Sequence, residues 1–114
     1  MITLKGDKKD TTVTGLRGGK GDVIRSEFFP EDAVCGKLKL CAILTLPSGS
    51  SIGEHTHGPD AELYYIVSGT LRVTDNGVTK DLNPGDAVFT CGGNAHCVEN
   101  VSDKEAALLA VIMN

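Results

Sequence analysis

The chain has 114 residues, which fits a single domain spanning residues 1–114 and leaves no room for two. Apolar residues make up 40% of it and charged residues 23%, the balance of a folded globular domain and not of a disordered chain. With 11 Lys and Arg residues against 15 Asp and Glu residues, the net charge is −4. Nucleic acid and anionic membrane both need a basic surface, so we exclude them as expected partners.

The location of the chain is predicted from its hydropathy and its cysteines. No stretch reaches the roughly 20 consecutive apolar residues that a membrane helix needs. Residues 1–10 are polar and charged, without the apolar core of a signal peptide. We therefore expect a cytoplasmic protein, whose 4 cysteines are free thiols.

The first 22 residues show the weakest pattern. We read residues 1–22 as an N-terminal extension or as edge strands, with short strands at 1–4 and 11–16. The glycine-rich stretch 17–22 resembles a phosphate-binding loop only in its glycines, because neither Gly-Lys-Ser/Thr nor a helical pattern follows it. We interpret it as a flexible connector.

The rest of the chain reads as short strands separated by turns that contain Gly, Pro, Asn and Asp. Asn76-Gly77 is the strongest turn signal, because both central positions of a two-residue hairpin need a positive φ. The segment 104–113 is ambiguous: its Ala and Leu content favours a helix, whereas its continuous apolar run also fits a strand buried on both faces, which is how we read it. The other predicted strands are 23–29, 37–46, 52–57, 62–67, 70–74, 78–82, 87–90 and 96–99. About nine or ten short strands predict a sandwich or a barrel.

The chain contains 3 histidines, and a carboxylate accompanies them. His55 and His57 lie two apart on one strand, so both imidazoles point to the same face, about 6–7 Å apart along the chain. The turn at 58–60 returns Glu62 to their side, and His96 begins a later strand. Three imidazoles and one carboxylate suit Zn, Fe, Ni, Co or Mn. The alternative is that these are surface or hydrogen-bonding histidines.

The spacing of these residues is more specific than their identities. From Gly49 to Gly69 the sequence reads G-x5-H-x-H-x4-E-x6-G, which resembles the first motif of the cupin superfamily at every defined position. From Gly85 to Asn100 it reads G-x5-C-x-G-x2-H-x3-N, which is similar to the second cupin motif, except that Cys91 stands where the family usually has proline.

The resemblance implies an all-β fold: a small antiparallel jelly-roll barrel, also called a double-stranded β-helix. It further implies one divalent metal ion (Zn, Fe, Mn, Ni or Co) inside the barrel. By the resemblance its ligands are His55, His57, Glu62 and His96. Cys91 brings a thiol near this site, which is either ligating or reactive or, as we favour, a small buried hydrophobe.

Alternation along the strands indicates which neighbours share the site. If Glu62 faces inward, Tyr64 does too, and its phenol either serves catalysis at a substrate or metal-bound water or is a wall residue tied to the backbone. Gly53, on the histidine strand, leaves space for a ligand to approach the metal. Two arginines, Arg25 and Arg72, either bind a substrate carboxylate or are solvated, and we favour solvation.

One further orientation stays open, on the strand 37–46. Its two faces carry alternating sets, and either set could line the site. One set is Leu38, Leu40, Ala42, Leu44 and Leu46. The other is Lys39, Cys41, Ile43 and Thr45.

The candidate metal ligands indicate what the protein does. Our leading hypothesis is a metalloenzyme that uses its ion as a Lewis acid on a small polar metabolite, a sugar derivative or organic acid, in an isomerase, lyase, decarboxylase or dioxygenase type of reaction. The alternative is a non-catalytic sensor or binding module for a metal or small ligand. The apolar segment 106–113 and the weakly patterned N-terminus suggest strands that complete their burial on a second subunit, hence a homodimer.

Overall fold

Ten strands build the molecule, and short 3-10 turns lie at Lys5–Asp7, Leu16–Gly18 and Glu31–Val34. The computed structural model describes residues 1–114, except for the side chains of residues 32 and 33. The strands are β1 (Lys9–Thr14), β2 (Asp22–Glu27), β3 (Leu38–Leu46), β4 (Ser51–His57), β5 (Ala61–Ser68), β6 (Leu71–Asp75), β7 (Val78–Leu82), β8 (Ala87–Thr90), β9 (Asn94–Glu99) and β10 (Ala106–Met113).

The strands form two antiparallel sheets that pack around one core. The larger has the order β1-β2-β3-β10-β5-β8, and the smaller has the order β4-β9-β6-β7. Leu44 and Leu108 from the first sheet and Ile52 and Val98 from the second are buried in the same apolar cluster. The predicted all-β jelly-roll fold is confirmed. No helix among the described residues is long and apolar enough to cross a membrane.

Residues 1–4 differ from the prediction, because they form no strand and β1 begins at Lys9. The hairpin prediction is confirmed: Asn76 and Gly77 both have positive φ, 48° and 79°, at the turn between β6 and β7. This tight connection fixes the register of the smaller sheet, in which β6 pairs with β9 on its other side.

Strand β10 resolves the ambiguous C-terminal segment in favour of a strand. It pairs with β3 on one side and β5 on the other, so its backbone hydrogen bonds are made within the sheet. Ala106, Leu108 and Ala110 are fully buried. These pairings cover the edges of the strand, whereas Leu109 and Val111 on its outward face are only partly buried, so the expectation that this strand completes its burial on a second subunit stays a prediction. The homodimer itself stays a prediction.

Strand β3 turns its leucine set inward. Ala42, Leu44 and Leu46 belong to the core, whereas Cys41 and Ile43 on the other face are only partly buried. Side chains in a strand alternate between faces, so this choice also fixes which residues of the paired β2 face the interior. Arg25 pairs in register with Leu44, and it shares the inward face with the fully buried Val23.

The N-terminal segment lies against β4 through two glycines. A Cβ on Gly53 would lie 2.0 Å from the Arg17 carbonyl oxygen, and one on Gly19 would lie 2.1 Å from the Ser51 carbonyl oxygen. The space predicted at Gly53 for a ligand is therefore filled by backbone, and that prediction is wrong. Its absent side chain instead allows residues 15–19 to pack on the strand that carries two of the histidines.

Candidate metal centre

Three strands bring the predicted ligands to one point. β4 supplies His55 and His57, β9 supplies His96 directly opposite His55, and β5 supplies Glu62 from across the interior, as its second residue. A bulge between Ile52 and His55 keeps both of these side chains facing inward despite their odd spacing. One donor atom from each of the four residues lies within 4.8 Å of the others.

The distances within this cluster are short. Glu62 Oε1 lies 2.9 Å from His96 Nε2, 3.1 Å from His57 Nε2 and 3.6 Å from His55 Nε2. The Nε2 atoms of His55 and His96 are 2.9 Å apart. His57, Glu62 and His96 are 1–3% exposed, so water screens little of the charge that they gather.

Each imidazole is oriented by a hydrogen bond from its other nitrogen. His55 Nδ1 lies 2.8 Å from the Gly53 carbonyl oxygen, and His57 Nδ1 lies 2.9 Å from Asp60 Oδ1. Because a carbonyl and a carboxylate can only accept, both Nδ1 atoms must donate. In the neutral tautomer that these bonds select, each ring presents the lone pair of Nε2 to the cluster.

His96 is also oriented by a hydrogen bond from Nδ1, in this case to a hydroxyl that bonds a carboxylate in turn. Its Nδ1 lies 2.8 Å from Thr90 Oγ1, and that hydroxyl donates to Asp75 Oδ1 at 2.5 Å. Since the hydroxyl hydrogen is committed to Asp75, the hydroxyl oxygen accepts from His96 Nδ1. Outer hydrogen bonds of this kind are the usual companions of metal-binding histidines.

Four acceptors thus face one another in a buried space. Three bare nitrogen lone pairs and a carboxylate repel each other unless a cation or additional protons lie between them. The chemistry of the donor set therefore fits a divalent transition metal, and the four residues could hold one.

The charge state of Glu62 supports this fit. Burial by itself would raise the pKa of the carboxyl, but without a metal ion, hydrogen bonds from His55 and His96 and the positive charge of imidazoles that carry the additional protons lower the pKa to about 2. The group is therefore an ionised carboxylate at neutral pH.

Tyr64 lies next to the cluster on β5. Its ring stacks on that of His96, with ring centres 4.7 Å apart and an interplanar angle of 8°. Burial, and after it the charge of the Glu62 carboxylate, raises the pKa of the phenol well above its usual value. The hydroxyl therefore stays protonated and can act as a hydrogen-bond donor. Its predicted catalytic role stays a prediction.

A small cavity of about 120 Å³ opens beside the cluster. Its walls are mostly apolar: Leu16, Leu40, Leu44, Ile52 and Ile112. Its polar lining comprises Arg17, Arg25, His55, Glu62 and Tyr64. Ligand pockets for drug-sized molecules measure about 300–1,000 Å³, so this cavity suits a much smaller ligand.

The two arginines considered from the sequence have different surroundings. Arg72 is exposed and paired with Asp81 at 2.8 Å, which agrees with solvation. Arg25 lines the cavity, and its Nε is buried without a hydrogen-bond partner. The preference for a solvated Arg25 therefore holds only in part, since the residue is half-buried and its Nε is buried. The burial of Nε results from the inward face of β2, which alternation alone could not assign.

Cys91 does not belong to the cluster. Its side chain is exposed in the loop before β9, so the preferred buried reading is wrong. Among the described side chains, it is also absent from the group that could hold a metal. All 4 cysteines are free thiols, as predicted.

Sequence reasoning missed the residues that orient the histidines. The sequence predicts Asp60 and Asp75 only as turn residues and Thr90 only as a strand residue. The spacing of Asp60, three residues after His57, was the one local signal for this contact. Asp75 reaches His96 through strand pairing, in which it lies opposite His96, whereas Thr90 reaches it through the packing of β8 against β9.

Comparisons with known proteins identify the family of the chain. The cupin domain family matches residues 42–112. The Thermotoga maritima "Oxalate-binding protein" is 34% identical over 113 residues, which cover 99% of this chain and 93% of that protein. A solved structure described as a predicted oxalate decarboxylase from Thermotoga maritima superposes with a TM-score of 0.94, at 34% identity, covering 99% of this chain and 98% of the other. KdgF from Halomonas sp. shares the fold alone, with a TM-score of 0.76 at 16% identity over 99% and 92% of the two chains.

Proposed function

The chain belongs to the cupin family, and we propose that it binds one divalent metal ion and, at that ion, a small organic acid. The observation that carries this proposal is the convergence of three Nε2 lone pairs and the Glu62 carboxylate beside a small cavity. His55, His57, Glu62 and His96 would hold the ion. When bound, the ion supplies a Lewis acid that polarises a carbonyl or carboxylate oxygen.

An organic acid is favoured over a sugar derivative by the lining of the cavity. Two guanidinium groups face a space of about 120 Å³ whose other walls are largely apolar. Sugars need many hydrogen-bonding groups for their hydroxyls, whereas a small carboxylate needs positive charge and little room. The Thermotoga maritima relative that is named for oxalate binding supports the same class of ligand.

Turnover of the bound acid is the second candidate, of the isomerase, lyase, decarboxylase or dioxygenase type. Tyr64 favours it, because a phenol held protonated next to the ligand set can donate a hydrogen bond or proton to a reacting oxygen. The non-catalytic binding module remains the alternative. The 4 free thiols suit a reducing compartment, and we propose the cytoplasm.

The experiment combines metal analysis with calorimetry. Protein stripped with a chelator and reloaded with Mn or Zn should hold one ion per chain, and His57→Ala should lose it. Oxalate should bind the loaded protein and not the stripped one, and glucose should bind neither. Full metal content in His57→Ala, or equal oxalate binding with and without metal, would contradict the proposal.

Turnover is tested separately on the loaded protein. If the chain is an enzyme, oxalate or another small acid should be consumed, and Tyr64→Phe should slow that reaction while metal content and ligand affinity stay unchanged. Stable binding of the acid with no consumption assigns the chain to the binding-module alternative.

A further inference from the structure

The guanidinium of Arg25 occupies an unusual position for an arginine. Its strand neighbour two residues away, Val23, is fully buried, and Arg25 points to the same side, where it lines the cavity next to the metal cluster. Its partner across the ladder is the buried Leu44. Arginine is rarely placed on such a face unless something pairs with it.

Arg25 has no such partner among the side chains that the structure describes. Its Nε is buried and makes no hydrogen bond. Among the side chains that the structure describes, no carboxylate lies within ion-pair distance of Arg25. A buried donor without an acceptor destabilises the fold, and such departures from local rules concentrate at functional sites.

A second arginine, the solvent-exposed Arg17, lines the same cavity. Arg17 lies in the segment that packs on β4, held there by the close approach of its carbonyl to Gly53. Its positive charge acts on the Tyr64 phenol, opposing the rise in the phenol pKa that burial causes. Two positive side chains therefore border a mostly apolar space. The negative group of the protein that lines this space is the Glu62 carboxylate, and a bound metal ion would neutralise its charge.

The chemistry of the missing partner follows from these groups. Guanidinium presents a planar fork of donors that matches the two oxygens of a carboxylate, and the match is strongest where water is excluded. We propose that Arg25, together with Arg17, forms a carboxylate-binding subsite in the cavity, so that the preferred ligand is a small dicarboxylate with one acid group free to meet these arginines. This inference rests on the proposed function and adds the residue that selects the ligand.

The test compares oxalate with oxamate, in which a neutral amide replaces one carboxylate. Calorimetry on the metal-loaded protein measures both affinities for the wild type, Arg25→Met and Arg72→Met. Arg25→Met should weaken oxalate binding by about 10- to 100-fold, the range for a charge-assisted hydrogen bond. It should also reduce the preference for oxalate over oxamate. Arg72→Met removes the same charge at the exposed Asp81 pair and should change neither affinity.

The metal-free proteins give a readout independent of the ligand. Methionine keeps most of the length of the side chain and removes the unpartnered Nε, so Arg25→Met should melt at the wild-type temperature or a few degrees above it. If Arg25 served only to stabilise the fold, Arg25→Met would instead melt at a lower temperature than the wild type. Arg25→Lys keeps the charge without the fork and provides a second variant if Arg25→Met does not fold.

The outcomes separate this inference from the function beneath it. Weaker oxalate binding with unchanged metal content and unchanged or higher melting temperature supports the subsite. Wild-type oxalate affinity in Arg25→Met overturns the subsite while leaving the metal-dependent function standing. A lower melting temperature in both Arg25 variants assigns Arg25 a structural role and also overturns the subsite. Failure of the loaded wild type to bind any small acid overturns both.

Discussion

The hydroxyl of Thr90 is the part of the metal centre whose removal gives the sharpest prediction. It accepts from His96 Nδ1 at 2.8 Å and donates to Asp75 at 2.5 Å, and Thr90 itself is fully buried. Thr90→Val keeps the shape of the side chain and deletes both bonds. The His96 Nδ1 hydrogen then has no acceptor, so its proton is free to move to Nε2, where it would block the ligand lone pair.

The magnitude of this effect has two parts. Loss of an outer partner of a metal-binding histidine typically lowers metal affinity about 10- to 100-fold, which corresponds to about 1.4–2.8 kcal/mol. A buried donor left without an acceptor also destabilises the metal-free fold by about 1–3 kcal/mol. Both losses should appear together, because one hydroxyl serves both purposes.

Metal affinity is measured by competition with a chromophoric chelator, and the stability of the metal-free fold by urea denaturation. Thr79→Val is the matched control, since it deletes an exposed hydroxyl that bonds Thr74 at 2.8 Å, away from the cluster. Metal affinity within twofold of the wild type in Thr90→Val would refute the view that the Thr90 hydroxyl sets the orientation of His96.

Two further predictions concern the backbone and the outer surface. Gly53→Ala should destabilise the protein by at least the ~1–3 kcal/mol typical of overpacking, because its Cβ would lie 2.0 Å from a backbone oxygen. Gly6→Ala is the control and should not destabilise it, because a Cβ there has no neighbour within 4 Å. Equal melting temperatures for Gly53→Ala and the wild type would contradict this prediction. The homodimer is expected to use the outer face of the larger sheet, where Tyr65, Val67 and Phe89 are 44–56% exposed. Light scattering should then give twice the mass of one chain, and Phe89→Lys should give one; a monomeric wild type would refute it.

The cluster of residues that could hold a metal ion was predictable because the spacing of most of its members is local. His55 and His57 share a face by strand alternation, and the short turn after them returns Glu62 to the same region. The inward positions of Tyr64 and Ile66 follow from the same alternation and are confirmed. These relations depend on neighbours in sequence, which a single chain displays directly.

The rest of the site depends on pairings that sequence does not display. Arg25 faces the cavity only because β2 pairs with β3 in one register, and a one-residue slip would have turned it to solvent. The bulge in β4 breaks simple alternation, so Gly53 could not be placed by counting. Thr90 reaches His96 through tertiary packing of β8 against β9, which leaves no local trace.

Gly53 contacts both His55 and Arg17, which line the cavity. Its carbonyl oxygen accepts the hydrogen bond that orients His55, and its Cα lies against the carbonyl of Arg17. An acid that binds Arg17 and an ion that binds His55 therefore both contact residues that are held by the same short segment of backbone. Because linkage is reciprocal, any tightening of ion capture by the acid must be matched by an equal tightening of acid capture by the ion.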